Sequence, residues 1–174
     1  MSKLAAVNLK AWIDAHRHLL KPPVGNALIW NSNFLVMVVG GPNQRTDYHV
    51  NPGEELFYQV EGDIVLRVIE DGRPRDIAIH QGDLFLLPGG VPHSPQRPAN
   101  TVGLVVEQPK AVPGTHHLRW YCPRCHAIVY DAEFQPVDFS KQLKEIIERF
   151  NGNADLRTCK ACGSVFPVPP PAKV

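Results

Sequence analysis

The sequence predicts an all-β fold: a double-sheet jelly-roll barrel with a short N-terminal helix and a small C-terminal four-cysteine metal-binding appendage. Three observations carry that prediction. From Ala27 to Glu107, short β-branched and aromatic runs alternate with turn residues. Two glycine-bracketed segments, Gly41 to Gly62 and Gly82 to Arg97, carry histidine at a spacing that lets strands of one barrel converge on a buried metal. All four cysteines fall in the last third of the 174 residues, as two C-x-x-C knuckles.

Ahead of the strands, Leu9, Trp12, Ile13, His16 and Leu20 recur at helical spacing, with Asn8 as N-cap and Lys21-Pro22-Pro23 as the stop. His16 borders that apolar stripe and His18 cannot share its face, so both read as packing or surface residues rather than a metal pair. The strand runs are L-I-W, F-L-V-M-V-V, L-F-Y-Q-V, I-V-L-R-V-I, D-I-A-I, L-F-L-L and V-G-L-V-V-E. Asp71-Gly72 marks a hairpin whose loop is expected to exceed two residues. Residues 108–120, with Pro109, Pro113 and Gly114, read as a linker. Near Ser140 to Phe150, Leu143, Ile146, Ile147 and Phe150 form the apolar stripe of a helix that suits a core. The ending P-V-P-P-P-A-K-V is expected to be extended and poorly ordered. No internal repeat is visible. The expected division is 1–110 for the barrel domain and 111–174 for the cysteine-bearing region.

A chain of this length buries one core of ordinary size and carries a small appendage. With 18 basic against 17 acidic residues, no excess charge gathers nucleic acid or an anionic membrane surface. No apolar run reaches the ~18 residues of a spanning helix. The start, M-S-K-L-A-A-V-N-L-K, lacks the continuous apolar stretch of a secretory signal, so a cytoplasmic setting is expected.

In a reducing compartment, Cys122 and Cys125 with Cys159 and Cys162 read as one tetrahedral thiolate site rather than as disulfides. A redox C-x-x-C and untied thiols are the other readings. Four protein ligands leave no open position, so the role is structural or electronic; zinc and iron both accept this set. The glycine-bracketed segments offer a different set, His49, Glu55 and His93. Two imidazoles and one carboxylate leave positions open, which suits a non-haem Fe(II) that binds an organic chelate and dioxygen side by side. Arg45, four residues before His49, and Arg97, four after His93, can reach the same pocket, as can Glu107 at a strand end. A guanidinium suits a substrate carboxylate, or negative charge developing on dioxygen. Surface arginines paired with carboxylates are the plainer reading.

The two segments resemble the paired motifs of the cupin superfamily. Gly41, Asp47, His49, Glu55 and Gly62 follow the first, with Asp47 where a histidine is usual. Glu55 is preferred to Glu54 because only it keeps the six-residue interval to Gly62 and shares a strand face with Phe57 and Gln59. Gly82, Pro88, Gly90 and His93 follow the second, with Arg97 where asparagine is common.

A closer resemblance spans almost the whole chain. K-P-P-V-G-N (Lys21 to Asn26), G-G-P-N-Q-R-T-D-Y-H (Gly40 to His49), E-E-L-F-Y-Q (Glu54 to Gln59), H-S-P-Q-R-P (His93 to Pro98) and the cysteine knuckles look like the bacterial 3-hydroxyanthranilate 3,4-dioxygenases. The resemblance implies oxygen-dependent ring opening of 3-hydroxyanthranilate to 2-amino-3-carboxymuconate semialdehyde, precursor of quinolinate, in tryptophan catabolism and NAD biosynthesis. It implies Fe(II) on His49, Glu55 and His93, substrate binding by Arg97 and Glu107 beside Glu55, and Arg45 placed to meet dioxygen. Arg45, Arg97 and Glu107 then form the catalytic set. It also implies a rubredoxin-like second iron (or zinc) on Cys122, Cys125, Cys159 and Cys162, and a homodimer. Two rivals fit the same scaffold: a cupin sugar-phosphate isomerase and a non-enzymatic metal-dependent small-molecule sensor.

Overall fold

The computed structural model describes residues 5–21, 25–43, 45–108, 113–135, 137 and 139–168. Pro22 and Pro23 of the expected helix stop, Pro109 of the expected linker and the tail from residue 169 onward lie outside the described residues. Helix α1 (Leu9–His16) begins where Asn8 Oδ1 accepts the Ala11 N–H at 2.9 Å, satisfying one of the donors a helix start leaves over. His16 stacks on Trp12 with ring centroids 4.2 Å apart, which is a packing role.

The strands are β1 (Asn26–Asn31), β2 (Leu35–Gly40), β3 (Tyr48–Val50), β4 (Glu55–Glu61), β5 (Ile64–Glu70), β6 (Arg73–Ile79), β7 (Leu84–Leu87), β8 (His93–Gln96), β9 (Val102–Glu107), β10 (His116–Tyr121) and β11 (Ile128–Phe134). They form a five-stranded sheet ordered β1-β2-β9-β4-β7 and a six-stranded sheet ordered β11-β10-β3-β8-β5-β6. Every pairing is antiparallel, as a jelly roll requires. Alternation decides what faces inward: Glu55, Phe57 and Gln59 are buried on β4, while Leu56 and Tyr58 are only partly so. Phe57 and its register partner Val105 meet Met37, Leu66, Val68 and Leu87 in the core between the sheets. Ile13 of α1 and Leu20 instead pack with Val38 and Val102, covering part of the outer face of the five-stranded sheet.

Two expectations are corrected. The Asp71-Gly72 loop contains only those two residues, because β5 runs to Glu70 and β6 starts at Arg73. Both have positive φ (49° and 74°), as a type I′ turn demands. The expected linker also ends early: β10 begins at His116 and pairs with β3, Leu118 opposite His49. Beyond it, β11, helix α2 (Phe139–Gly152) and the short α3 (Ala154–Arg157) complete the chain's second core. Phe150 stacks on Trp120 at 4.2 Å, both fully buried, and Ile146 and Phe166 close around them. The α2 stripe is therefore core, as its periodicity predicts. The β10 strand ties this second core directly to the strand that carries His49.

Candidate metal centre and active site

Antiparallel pairing places His49 on β3 opposite His93 on β8, and Glu55 on β4 opposite Glu107 on β9. The candidate ligand atoms of His49, Glu55 and His93 lie within 4.8 Å of one another, and all three residues are buried. Burial holds His49 well below the ordinary histidine range, helped by the neighbouring His93 and Arg45, so its ring is neutral and keeps a lone pair to offer. His93 Nδ1 meets the Val91 carbonyl at 3.0 Å, fixing that ring's orientation. Glu55 Oε2 is buried and lies 3.1 Å from His93 Nε2, yet has no hydrogen-bond partner among the described residues. A buried carboxylate oxygen left in that condition is unfavourable by itself. Two ligand atoms converging without bonding each other fit a divalent cation between them.

Asp47, standing where the cupin pattern has a histidine, is not part of this set. It takes the Arg45 guanidinium instead, from Nε at 3.1 Å and from Nη2. Burial opposes the charge on Arg45, and Asp47 more than offsets it, so Arg45 stays a cation beside the triad. Arg97 differs. It is 3% exposed, its Nε has no partner, and Nη1 reaches only Gln59 Oε1 at 3.3 Å. No carboxylate forms a salt bridge with it among the described residues, and burial lowers its pKa to about 10. Space for this guanidinium comes from Gly103, where a Cβ would stand 2.7 Å from Arg97 Nη1. Glu107, 4% exposed, is pushed up to about 8 by burial and by the nearby Glu55 charge, so it carries a proton at neutral pH.

The structure thus brings every barrel candidate together, and adds residues the sequence patterns passed over. His116 is fully buried, with Nδ1 3.0 Å from His49 Nε2 and its ring stacked at 20° on His49. Its only sequence signal is an H-H pair just after Pro113 and Gly114. Asn51 donates to Glu107 Oε2 at 2.5 Å. Its position two residues beyond His49, just past the end of β3, is a signal that alternation could have supplied.

The four cysteines also converge, outside the barrel. Cys122 and Cys162 Sγ lie 3.6 Å apart, as do Cys125 and Cys159. The Ser164 hydroxyl, 3.1 Å from Cys122 Sγ, pulls that thiol down to about 6, toward the thiolate a metal needs. A surface cleft of about 590 Å³, lined by Arg45, Tyr48, Arg67, Tyr121, Cys122 and Phe166, lies between this cluster and the outer face of the six-stranded sheet. Of the barrel candidates it includes only Arg45.

Comparison with known proteins bears on what the barrel site does. Residues 1–151 match the family model described as 3-hydroxyanthranilic acid dioxygenase. The chain is 50% identical over 157 residues to the 3-hydroxyanthranilate 3,4-dioxygenase of Neurospora crassa, covering 90% of this chain and 87% of that one. Its identity to the enzyme of that name from Yarrowia lipolytica is 51% over 161 residues (91% and 94% covered). To that of Xanthomonas campestris pv. campestris it is 48% over 163 residues (94% and 93%). Among solved structures, a cupin-2 domain protein from Shewanella frigidimarina aligns over 55% of this chain and 91% of its own, at 16% identity and a TM-score of 0.46. The family model stops before Cys159 and Cys162.

Proposed function

The chain belongs to the 3-hydroxyanthranilic acid dioxygenase family, and from that premise we propose that it opens the ring of 3-hydroxyanthranilate with O2, giving 2-amino-3-carboxymuconate semialdehyde. The ring bond between C3 and C4 breaks, and both oxygen atoms enter the product. In this reading His49, Glu55 and His93 hold Fe(II). When bound there, Fe(II) supplies open positions at which an ortho-aminophenol and dioxygen are brought together, making a bimolecular encounter effectively intramolecular.

The chain's own residues do the rest. Arg97 takes the substrate carboxylate as its missing counter-ion, a charge-assisted contact made strong by burial. Glu107, protonated at rest, faces Glu55 across the β4–β9 pair and holds its proton toward the substrate's hydroxyl or amine. Arg45, kept charged by Asp47, stabilises negative charge developing on dioxygen. Burial keeps Arg97 and Glu107 from bulk water, while Arg45 also borders the surface cleft.

The observation that carries this reading is a buried guanidinium with no salt bridge among the described residues, beside a buried His-His-Glu triad, in a chain whose relatives bear a dioxygenase name. That combination favours ring cleavage over a sugar-phosphate isomerase or a sensor. Anaerobic titration of the Fe(II)-loaded protein tests it. Binding of 3-hydroxyanthranilate at least tenfold tighter than 2-aminophenol, which lacks the carboxylate, is expected; equal binding would contradict the Arg97 role.

The reading extends to a second iron or zinc on the four thiolates, a cytoplasmic setting and a homodimer. Among the described residues no helix is long and apolar enough to cross a membrane. The homodimer is supported by the outer face of the five-stranded sheet, where Trp30, Leu84 and Leu86 are at least half exposed, Trp30 and Leu86 flanking Val36, Val106 and Leu56 in register and Leu84 standing beside Tyr58. Contiguous apolar surface of that kind marks protein contacts.

A further inference from the structure

We infer that Asn51 is a positioning residue, holding the Glu107 carboxylate in place for the substrate; this rests on the reading of Glu107 as a substrate-binding group. Asn51 is 3% exposed and follows directly on β3. Its side chain is used at both ends. Oδ1 accepts the Gly53 N–H at 3.0 Å, and Nδ2 donates to Glu107 Oε2 at 2.5 Å. The first contact decides the second: only the amide oxygen can meet a backbone N–H, so the amide NH2 must face Glu107.

The backbone around Asn51 is fixed as well. Its carbonyl accepts the Gly90 N–H at 2.7 Å, joining it to the loop that leads into His93. A turn at one end, a loop at the other and the carboxylate at the side leave the amide one place to be. Glu107 depends on it more than the reverse. It is the last residue of β9, where sheet pairing sets the backbone and leaves the side-chain torsions open. Asn51 is its hydrogen-bond donor among the described residues. Across the strand pair stands Glu55, a carboxylate that converges with two imidazoles. Glu107 does not join that group. The Asn51 contact holds the second carboxylate apart from the triad, in one orientation.

A group that meets the reacting molecule must be held to a fraction of an ångström, and loss of that constraint lowers rate and binding even when the group remains. Asn51 contacts no position that the substrate is read to occupy, so it acts through Glu107. The test is a double-mutant cycle on the Fe(II)-loaded full chain, measuring kcat and KM for 3-hydroxyanthranilate together with iron affinity. Asn51→Ala is expected to raise KM about tenfold, the order of one buried hydrogen bond, with iron affinity unchanged. Glu107→Ala is expected to raise it further, and the double variant to match Glu107→Ala alone.

Effects that multiply in the double variant would overturn the inference, because Asn51 would then act independently of Glu107. An unchanged KM in Asn51→Ala with intact Glu107 would also overturn it. An unchanged KM in Glu107→Ala would sink the reading of Glu107 itself, and the inference with it, and is recognisable as such. Should Asn51→Ala fail to fold, Asn51→Ser serves: its hydroxyl can keep the Gly53 contact but is too short to span to Glu107.

Discussion

Replacing Arg97 with methionine should move activity and stability in opposite directions. The side chain keeps similar length and loses its charge. In the resting protein the guanidinium is buried with no salt bridge among the described residues, and burial lowers its pKa from the ordinary 12.5 to about 10. At about 1.4 kcal/mol per pK unit, that depression of 12.5 − 10 = 2.5 units corresponds to a penalty of about 3 kcal/mol for keeping the charge inside the fold. Against it stands the Gln59 contact, long at 3.3 Å, worth about 1 kcal/mol. Arg97→Met should therefore stabilise the free protein by about 2 kcal/mol, raising Tm by about 4 to 8 °C for a chain of this size. With substrate bound, the same change breaks a buried charge pair worth about 3 to 5 kcal/mol, a fall in kcat/KM of about 100- to 5,000-fold. Thermal melts of metal-free protein and steady-state rates on 3-hydroxyanthranilate and 2-aminophenol measure both. Only the substrate with a carboxylate should suffer. Equal losses on the two substrates, or a lowered Tm with kcat/KM intact, would refute the reasoning.

Further outcomes follow from the same geometry. His49→Ala removes one of three ligands, so iron measured after gel filtration should fall to the share of the thiolate site and activity should vanish; full turnover would end the assignment. Cys159→Ala should lower Tm while leaving residual catalysis, since the thiolates cluster outside the barrel; complete loss of turnover in a variant that stays folded would contradict this. Glu107, with a folded pKa raised from 4.5 to about 8, binds a proton in the folded state that the unfolded chain has already released. Its linkage makes metal-free protein lose stability as pH climbs between those values. Glu107→Gln should remove that loss: the variant should melt higher than the parent at pH 8.5, with the difference disappearing below pH ~4.5. A constant difference across that range would show that Glu107 does not titrate there.

The triad was legible because its setting is written in residues of distinctive backbone behaviour: glycines and prolines at fixed intervals define where each motif turns, and His49, Glu55 and His93 stand between them. The strands that bear the histidines were not. β3 and β8 are three and four residues long, too short for alternation to register. β10 reads H-H-L-R-W-Y, mixed polar and apolar after Pro113 and Gly114, and its membership of the sheet comes from pairing with β3, a contact between residues far apart in sequence. The two-residue hairpin loop was hidden by Arg73, Pro74 and Arg75, which are exposed on β6 and so look like loop. The roles of His116 and Asn51 depend on which side chain each one meets across the barrel, His49 and Glu107, and periodicity holds no record of that.

The central claim is that this barrel couples oxygen to ring opening at the His49–Glu55–His93 site. Anaerobic loading with Fe(II), addition of 3-hydroxyanthranilate and then air, with oxygen uptake and the semialdehyde absorbance recorded together, tests it most directly. The account predicts one O2 consumed for each semialdehyde formed. Oxygen uptake without semialdehyde, or no uptake with iron shown to be bound at the triad, would contradict it.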